Sequence, residues 1–401
     1  MKLLWVVQRF AADIAGGAEA EARQYATRLA AAGHEVEVAT SCALDYITWR
    51  NELPPGDSVD QGVTVHRFPV ARERSARFFT LDARVKRGEV ATLVAEREWL
   101  VAQGPVLVGL EQWLDVHAGG FDVVVFTSYL YHPTIVGLPI ARQHTATALT
   151  PTAHAEAPFT LSIVVPPLLL ADQLVYNSRE EQELVGRRTG RSIAGEVVGM
   201  GADEPPGDGG APFRDQHGLG TDPYLLYVGR IDEGKGVGRL LESFVEYKRR
   251  NGGSLRLVLI GSQAIDLPRR QDVVLPGFVS ESMKFQALRG AVALVQPSRM
   301  ESFSIVAVEA WSVGTPVVCD AGSDVLVGHS MRSGGGIPYA GFAEFEATID
   351  LLVEDAVART RLGAAGRAYV DAEYTWPAVI ARLERCLHEA RKVGVSRLSG
   401  R

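Results

Sequence analysis

The feature that most constrains this chain is a strand, loop, helix and strand pattern that occurs twice, at residues 3–40 and again at 224–262. The first copy starts from the apolar run LLWVV, passes Gly16 and Gly17 and a helical segment, and ends in HEVEVAT. A uniformly apolar strand is typical of a parallel sheet that is covered on both faces. Strands that alternate with helices predict parallel sheets, and two such starts predict two Rossmann-like halves.

The domain boundary is predicted from length and composition. A chain of 401 residues is too long for one hydrophobic core. The stretch at 199–212 is rich in Gly, Pro and Asp and is the best linker candidate. We therefore predict one domain over 1–198, a second over 199–375, and a final helix over about 376–401.

Charge, cysteines and apolar runs exclude several classes of protein. The chain carries 41 basic and 48 acidic residues, a balance of −7 that does not suggest a nucleic-acid partner. Cys42, Cys319 and Cys386 are far apart, which favours a reducing, cytoplasmic compartment. The first apolar run is too short for a signal peptide, and the run at 161–175 contains two prolines and is too short to span a bilayer.

One segment is locally basic. It comprises ARERSARFF at 71–79 together with Arg84, Lys86 and Arg87. It fits either an anionic acceptor or peripheral contact with a membrane surface, or else an ordinary solvated helix face.

The second strand pattern carries two cations where it turns into a helix. Arg230 follows a strand directly, and Lys235 lies between Gly234 and Gly236. Ligands of open α/β sheets bind at the carboxyl ends of strands, where the next helix N-terminus also favours an anion. The pair suits a diphosphate, although the spacing is not that of a Walker A loop. The alternative is that Arg230 pairs with Asp232 and that Lys235 is solvated.

Two glutamates in the stretch 301-ESFSIVAVEAWSVGTPVV-318 suit hydroxyl groups. The preceding strand at 292–298 places Glu301 in the loop at its carboxyl end. Carboxylates accept hydrogen bonds well from hydroxyls, so Glu309 could hold a ribose and Glu301 a transferred sugar. The alternative is that one or both pair with a nearby arginine.

The helix that carries Glu309 is predicted to run from about Ile305 to Val313. Ser302 or Ser304 can cap it, because serine hydroxyls accept from the free N–H groups of a first helical turn. Its N-terminus then points toward the same crevice as the two cations.

These motifs, taken in order, resemble those of retaining glycosyltransferases of family 4, which have the GT-B fold. The resemblance rests on the segments VGRIDEGKG (228–236), LPGFVSESM (275–283) and QPSRMESFSIVAVEAWSVGTPVV (296–318), with GGAEAEARQYATRLAAAGHEVEVAT and TPTAHAEAP in the first half. The resemblance implies an α/β chain of two Rossmann-like domains whose parallel sheets face each other across an interdomain cleft. It also implies that the final helix crosses back to the first domain.

The resemblance assigns roles residue by residue. Arg230 and Lys235 would hold the donor diphosphate, Glu309 the ribose and Glu301 the sugar. The residues expected to bind the donor are Arg230, Lys235, Glu309, Gly277, Phe278, Val279, Ser302, Phe303, Ser304, Gly16 and Gly17. The residues expected at the reacting centre are Glu301, His154 and His132.

Some positions depart from the family pattern. The family often has Gly where Ser304 stands, and Ala155 and Ala157 replace expected residues on the acceptor side, beside His154. His132 follows the strand at 122–126, and a packed or capping histidine is the alternative.

The loop SCALDYITWRNELPPG at 41–56 is aromatic and polar. Its Tyr46, Trp49 and Asn51 could contact an acceptor sugar, or they could anchor the loop to the domain.

The expected function is transfer of a sugar from a uridine or guanosine diphosphate sugar to a hydroxyl of a saccharide or lipid-linked acceptor, with retention. Polysaccharide, glycolipid or cell-envelope glycan synthesis is the expected setting, in the cytoplasm or at the inner membrane face. No cofactor is expected, and because no D-x-D pair occurs we predict metal independence. The alternatives are a GT-B epimerase or phosphorylase, and a nucleotide-sugar-binding protein without transfer activity.

Overall fold

The computed structural model describes residues 1–12, 14, 16–203 and 210–400. The chain forms two compact units, one made of Met1–Gly199 with Ile380–Arg401 and the other of Met200–Val379. Residues 204–209 of the predicted linker lie outside the described residues.

The first unit is built on an eight-stranded sheet with the order β3-β4-β2-β1-β5-β6-β7-β8. Its strands are β1 (Lys2–Val6), β2 (Glu35–Ser41), β3 (Gly56–Asp60), β4 (Val63–Phe68), β5 (Val123–Thr127), β6 (Ala146–Thr150), β7 (Gln173–Tyr176) and β8 (Gly195–Val197). Its helices are α1 (Gly17–Ala31), α2 (Ala76–Lys86), α3 (Leu93–Gln103), α4 (Leu110–His117), α5 (His132–Ala141), α6 (Val165–Leu170) and α7 (Arg179–Thr189). Neighbouring strands are parallel except in the β3–β4 hairpin, which the sequence did not predict.

The second unit has a six-stranded sheet with the order β11-β10-β9-β12-β13-β14, and its pairs are parallel. Its strands are β9 (Tyr224–Val228), β10 (Arg256–Ile260), β11 (Val273–Gly277), β12 (Ala293–Gln296), β13 (Val317–Asp320) and β14 (Gly336–Tyr339). Its helices are α8 (Ala211–Gln216), α9 (Val237–Asn251), α10 (Glu281–Gly290), α11 (Ile305–Ser312), α12 (Asp324–Ser333), α13 (Phe342–Glu354) and α14 (Ala356–Glu373). The prediction of two α/β units with parallel sheets is therefore confirmed.

Apolar periodicity explains the elements that position the site. In α9 the apolar residues Leu240, Leu241, Phe244 and Tyr247 recur at helical spacing, and all four are buried. The strand β1, with its continuous apolar run, is buried on both faces: the side chains from Leu3 to Val6 have no exposed surface.

The last helix, α15 (Trp376–Ser399), is long, and its later residues pack within the first unit. Arg397 donates two hydrogen bonds of 3.0 Å to the buried carboxylate of Asp172. Gly394 lies so close to β6 that a Cβ placed on it would be 2.4 Å from the Cβ of Ala146. In the described part of the chain, we find no helix whose length and hydropathy would let it cross a bilayer.

Candidate active site

The candidate donor site is built on the carboxyl edge of the second sheet, where the loops after β11, β10, β9 and β12 follow one another. The backbone is tightly packed along this edge. The N–H of Gly261 donates to the carbonyl of Gly277 at 2.9 Å, and a Cβ on Gly261 would lie 2.0 Å from the carbonyl oxygen of Gly229. Glycine at residue 261 therefore lets these strand ends come together.

Lys235 and Glu301 are brought together across this edge. The Nζ of Lys235, in the loop after β9, lies 2.8 Å from Oε1 of Glu301, in the loop after β12. The Lys235 side chain is 35% exposed and that of Glu301 is 12% exposed. Because an ammonium group has three donors, Lys235 can keep this contact and still donate to an anion.

Arg230 forms the pair that the sequence left open as an alternative. Its guanidinium contacts the carboxylate of Asp232, which also accepts the backbone N–H of Lys235 at 2.8 Å. The loop then enters α9 through Gly236, whose φ is +75° and whose added Cβ would lie 2.6 Å from the carbonyl oxygen of Pro297. Asp232 thus contacts the guanidinium of Arg230 and the backbone of Lys235, which fixes these two residues in one loop.

Glu309 is paired, but with a lysine instead of the arginine considered from the sequence. Lys284 of α10 lies 2.8 Å from Glu309 and 2.7 Å from Glu281. Burial opposes the charge on Lys284, but the two carboxylates outweigh it and raise its pKa. Sequence reasoning missed this lysine, although it directly follows the quoted segment LPGFVSESM.

The predicted cap of α11 is wrong. Ser304 occupies the N-cap position, but its side chain makes no capping hydrogen bond, and its Oγ is buried without a partner in the described structure. Its φ of +70° is in the left-handed region, which glycine adopts most easily. No capping bond is present from Ser302 either in the described residues.

Phe303 is expected at the donor, but its side chain faces the core. It is 3% exposed and packs edge-on against His329 and Tyr374, with ring centroids 5.3 and 5.2 Å away. Burial lowers the pKa of His329 to about 3, so this histidine is neutral. Phe303 can therefore offer a ligand its backbone, while its ring anchors the loop.

The residues expected beside the nucleotide base lie at the end of β11. Gly277 has a φ of +76°, and Phe278, the next residue, is 80% exposed. Val279 is half-buried. An exposed aromatic ring at a strand end offers a surface on which a base can stack.

In the first unit, the Gly16–Gly17 turn packs on a buried ion pair that sequence reasoning missed. Arg9 donates two hydrogen bonds, at 2.9 and 2.6 Å, to Oε1 of Glu19, and both side chains are buried. A Cβ on Gly16 would lie 2.3 Å from the Glu19 carboxylate, whereas the space beside Gly17 is open. Gly16 thus serves local packing, and Gly17 is the position that a ligand can approach.

The two candidate histidines differ in their surroundings. His132 is the first residue of α5 and is 9% exposed; burial lowers its pKa. Its backbone N–H donates to Gly104, at 3.3 Å. The Nδ1 of His154 lies 3.3 Å from Glu156, which accepts a 2.6 Å hydrogen bond from the hydroxyl of Tyr129.

The loop at 41–56 favours the anchoring alternative for two of its three candidates. The indole N–H of Trp49 donates to the carbonyl of Gln103 at 2.7 Å, and the residue is 1% exposed. Asn51 donates to and accepts from the backbone of Val70, at 3.1 and 2.8 Å. Tyr46 is half-buried, with the guanidinium of Arg9 5.1 Å from its ring centre. The indole N–H of Trp49 and the amide of Asn51 therefore bond within the fold, which favours anchoring of the loop by these two residues.

A buried acidic cluster in the first unit also escaped sequence reasoning. The amide of Asn177 donates to Glu21 at 2.9 Å, and its backbone N–H donates to Glu181 at 2.6 Å. Burial raises the pKa of both carboxyls to about 8. Both groups are therefore largely protonated at neutral pH.

No cluster of three or more His, Cys, Asp or Glu side chains is arranged to hold a metal ion within residues 1–12, 14, 16–203 and 210–400.

Comparison with known proteins points to one group of enzymes. Residues 211–369 match the family of glycosyl transferases group 1. Glycogen synthase of Mycobacterium tuberculosis is 26% identical to the chain, covering 94% of it and 92% of the relative. A D-inositol 3-phosphate glycosyltransferase of Frankia alni is 27% identical, covering 94% of the chain and 95% of the relative.

Solved structures share the fold over nearly the whole length. Sucrose-phosphate synthase of Thermosynechococcus elongatus aligns with a TM-score of 0.69 at 20% identity, covering 96% of this chain and 98% of that one. HepE of Anabaena, solved with UDP-glucose, aligns with a TM-score of 0.70 at 15% identity, covering 97% and 99%. These neighbours have the GT-B fold.

Proposed function

We propose that the chain is a retaining, metal-independent hexosyltransferase of the glycosyl transferases group 1 family, whose model matches residues 211–369. As a glycosyltransferase it moves a sugar from a nucleotide sugar. We propose that the donor is a uridine or guanosine diphosphate sugar and that the acceptor is a hydroxyl of a saccharide or lipid-linked saccharide. The setting we propose is cytoplasmic synthesis of a polysaccharide, glycolipid or cell-envelope glycan.

The observation that carries the proposal is the contact between Lys235 and Glu301, 2.8 Å apart at the carboxyl edge of a parallel sheet. The ammonium group of Lys235 can neutralise a phosphate, and the carboxylate of Glu301 can accept hydrogen bonds from hydroxyls. A nucleotide diphosphate sugar contains both kinds of group. The N-termini of α9 and α11 follow these two residues, and their first-turn N–H groups favour an anion. HepE, solved with UDP-glucose, shares the fold.

The physical work of the reaction is stabilising the charge on the departing diphosphate. In the proposed mechanism the bond between the anomeric carbon and the phosphate oxygen breaks as the acceptor oxygen bonds the same face. The proton of the acceptor hydroxyl passes to the leaving phosphate oxygen. The developing negative charge is stabilised by Lys235, Arg230 and the two helix N-termini. Such electrostatic stabilisation of the transition state is usually the largest single contribution to catalysis.

The carboxylates and histidines orient the substrates. We propose that Glu301 accepts hydroxyls of the transferred sugar, that Glu309 accepts those of the ribose, and that Phe278 borders the base. His154, which lies 3.3 Å from Glu156, is the proposed acceptor-side histidine, and His132 is proposed to approach the donor sugar at the reacting centre.

A thermal-shift panel tests the donor, because a ligand that binds the folded state raises the melting temperature by mass action. Nucleotide diphosphate sugars with different bases and sugars are compared with the free nucleotides. One donor should stabilise the protein in a saturable way and then be consumed in transfer. If no member of the panel shifts the melting temperature or is turned over, the proposed donor class is wrong.

Retention and metal independence have separate readouts. The anomeric configuration of the product, read by NMR coupling constants, should equal that of the donor. Transfer should persist in excess EDTA, because two cationic side chains replace a divalent ion at the diphosphate. Loss of activity in EDTA that magnesium restores would contradict metal independence and leave the donor class intact.

A further inference from the structure

A cavity of about 680 Å³ lies within the first unit, between helix α3 and the segment that follows β4. Its apolar wall is formed by Trp49, Val94, Val101 and Val106. The volume is within the range of sites that hold one small molecule. None of the functions proposed above uses this cavity.

The apolar wall is open to solvent on α3. Val94 is 69% exposed and Val101 is 54% exposed, and they lie seven residues apart, which places them two turns apart on one helix face. Apolar side chains grouped at the mouth of a cavity expose apolar surface to water, and a bound ligand would cover that surface. The cavity is therefore suited to an apolar group.

The rim of the cavity keeps positive charge after its ion pairs are formed. Arg77 pairs with Glu98 at 3.3 Å, and Glu73 pairs with Arg50 at 3.7 Å. Two further rim residues, Arg72 and Arg97, are exposed and have no hydrogen-bond or ion-pair partner in the part of the chain that the structure describes. Two unpaired guanidinium groups beside an apolar wall complement an amphiphile with an anionic group.

The cavity adjoins the carboxyl edge of the first sheet. Gly104 lines it, and the carbonyl of Gly104 accepts the backbone N–H of His132, directly after the loop that follows β5. The ring of Trp49 also meets the ring of Tyr131 edge-on, with centroids 5.7 Å apart. A molecule in the cavity could thus extend toward the strand end that carries His132.

We infer that this cavity binds the apolar chain of the acceptor, with an anionic group of the acceptor between Arg72 and Arg97. The assignment to the acceptor rests on the proposed function. It defines the acceptor class as a saccharide joined through an anionic linkage, such as a phosphate ester, to an apolar chain.

The test is isothermal titration calorimetry of the full chain with dodecyl phosphate below its micelle concentration. Dodecyl maltoside and inorganic phosphate are the comparison probes, because each supplies one of the two chemistries. Dodecyl phosphate should bind at one site, about tenfold or more tightly than either comparison probe, since an ionic hydrogen bond adds to apolar burial.

Two double variants test the residues. Arg72→Gln with Arg97→Gln should weaken dodecyl phosphate binding by about tenfold, and Val94→Ser with Val101→Ser by a similar factor.

Arg361→Gln and Val59→Ser, at exposed residues elsewhere, are the matched controls and should leave binding unchanged. The inference is overturned if dodecyl phosphate shows no saturable binding, or if all variants bind as the wild type does. Donor binding by the second unit is measured separately, so failure here would not be confused with failure of the proposed transfer.

Discussion

The ammonium group of Lys235 lies 2.8 Å from the carboxylate of Glu301, so the two charges that the sequence assigned to different parts of a donor contact each other. The two residues come from loops after neighbouring strands, β9 and β12. Glu301 therefore holds Lys235 at the edge where a diphosphate is expected. A donor would share the lysine with Glu301 and place its sugar against the same carboxylate.

This geometry predicts opposite effects of Glu301→Gln on two ligands. The nucleotide diphosphate sugar should bind about tenfold more weakly, because a charged acceptor for sugar hydroxyls is lost. The free nucleotide diphosphate should bind at least as tightly as before, because Lys235 is released. Titration calorimetry with both ligands checks this, and equal weakening of both would contradict the assignment of Glu301 to the sugar.

The pairing of Glu309 predicts a loss of stability. Glu309→Gln leaves Lys284 largely buried with only Glu281 as its carboxylate among the described contacts, and should cost about 1–3 kcal/mol in the free energy of unfolding. Glu281→Gln is the matched control, because the Glu281 side chain is 75% exposed, and should cost at most about 0.5 kcal/mol. Urea denaturation measures both. Equal costs would mean that burial of the Glu309 pair has no energetic consequence.

The backbone at the start of α11 predicts a stabilising substitution. Ser304→Gly should raise the free energy of unfolding by about 0.5–1 kcal/mol, because glycine adopts a φ of +70° without strain and removes a buried, unpaired hydroxyl. The same change at Ser302, which is not among the residues with positive φ, should not stabilise the protein. Urea denaturation measures the free energy of unfolding of both variants. If Ser304→Gly lowered it, the backbone at Ser304 would not be strained.

The buried carboxyls of Glu21 and Glu181 predict a stability that falls with rising pH. Their pKa values are raised from the ordinary 4.5 to about 8, so between these values the folded chain binds more protons than the unfolded chain. The stabilisation is complete below about pH 4.5 and is lost as pH rises through about 8, by up to about 1.4 kcal/mol per pH unit for each group.

Melting temperatures between pH 5.5 and 8.5 check this. Glu21→Gln should reduce the fall in melting temperature with pH, since the amide does not titrate. Glu183→Gln, at an exposed side chain on α7, should keep the wild-type slope. A slope that Glu21→Gln leaves unchanged would show that Glu21 does not titrate in this range.

Strong apolar patterns explain what could be predicted of the fold. β1 and α9 are buried as their sequences indicate, because a continuous apolar run and a helical apolar stripe each fit one kind of element. The strand β3, with the sequence GDSVD, is missed because four of its five residues are exposed and its pairing with β4 comes from the hairpin. The three-residue β8 is too short to carry a pattern.

The candidate site likewise has parts that the sequence predicts and parts that it does not. Strand ends and the loops that follow them can be located from sequence, so the sequence alone predicts that Lys235 and Glu301 lie at the same sheet edge. Lys284 could not be paired with Glu309, because the contact joins two helices and depends on how α10 packs beside α11. The role of Trp49 was also open, because the sequence does not show whether an aromatic residue in a loop is anchored to the core, as its indole N–H is here by the bond to Gln103.

The rate of sugar transfer by Lys235→Ala tests the central claim most directly. If Lys235 stabilises the leaving diphosphate, the turnover number should fall roughly 30- to 160-fold, the equivalent of about 2–3 kcal/mol. Lys392→Ala, at a side chain that is 78% exposed on α15, should transfer at the wild-type rate. A Lys235→Ala enzyme that turns over within about twofold of the wild type, with the donor that the thermal-shift panel selects, would contradict the account.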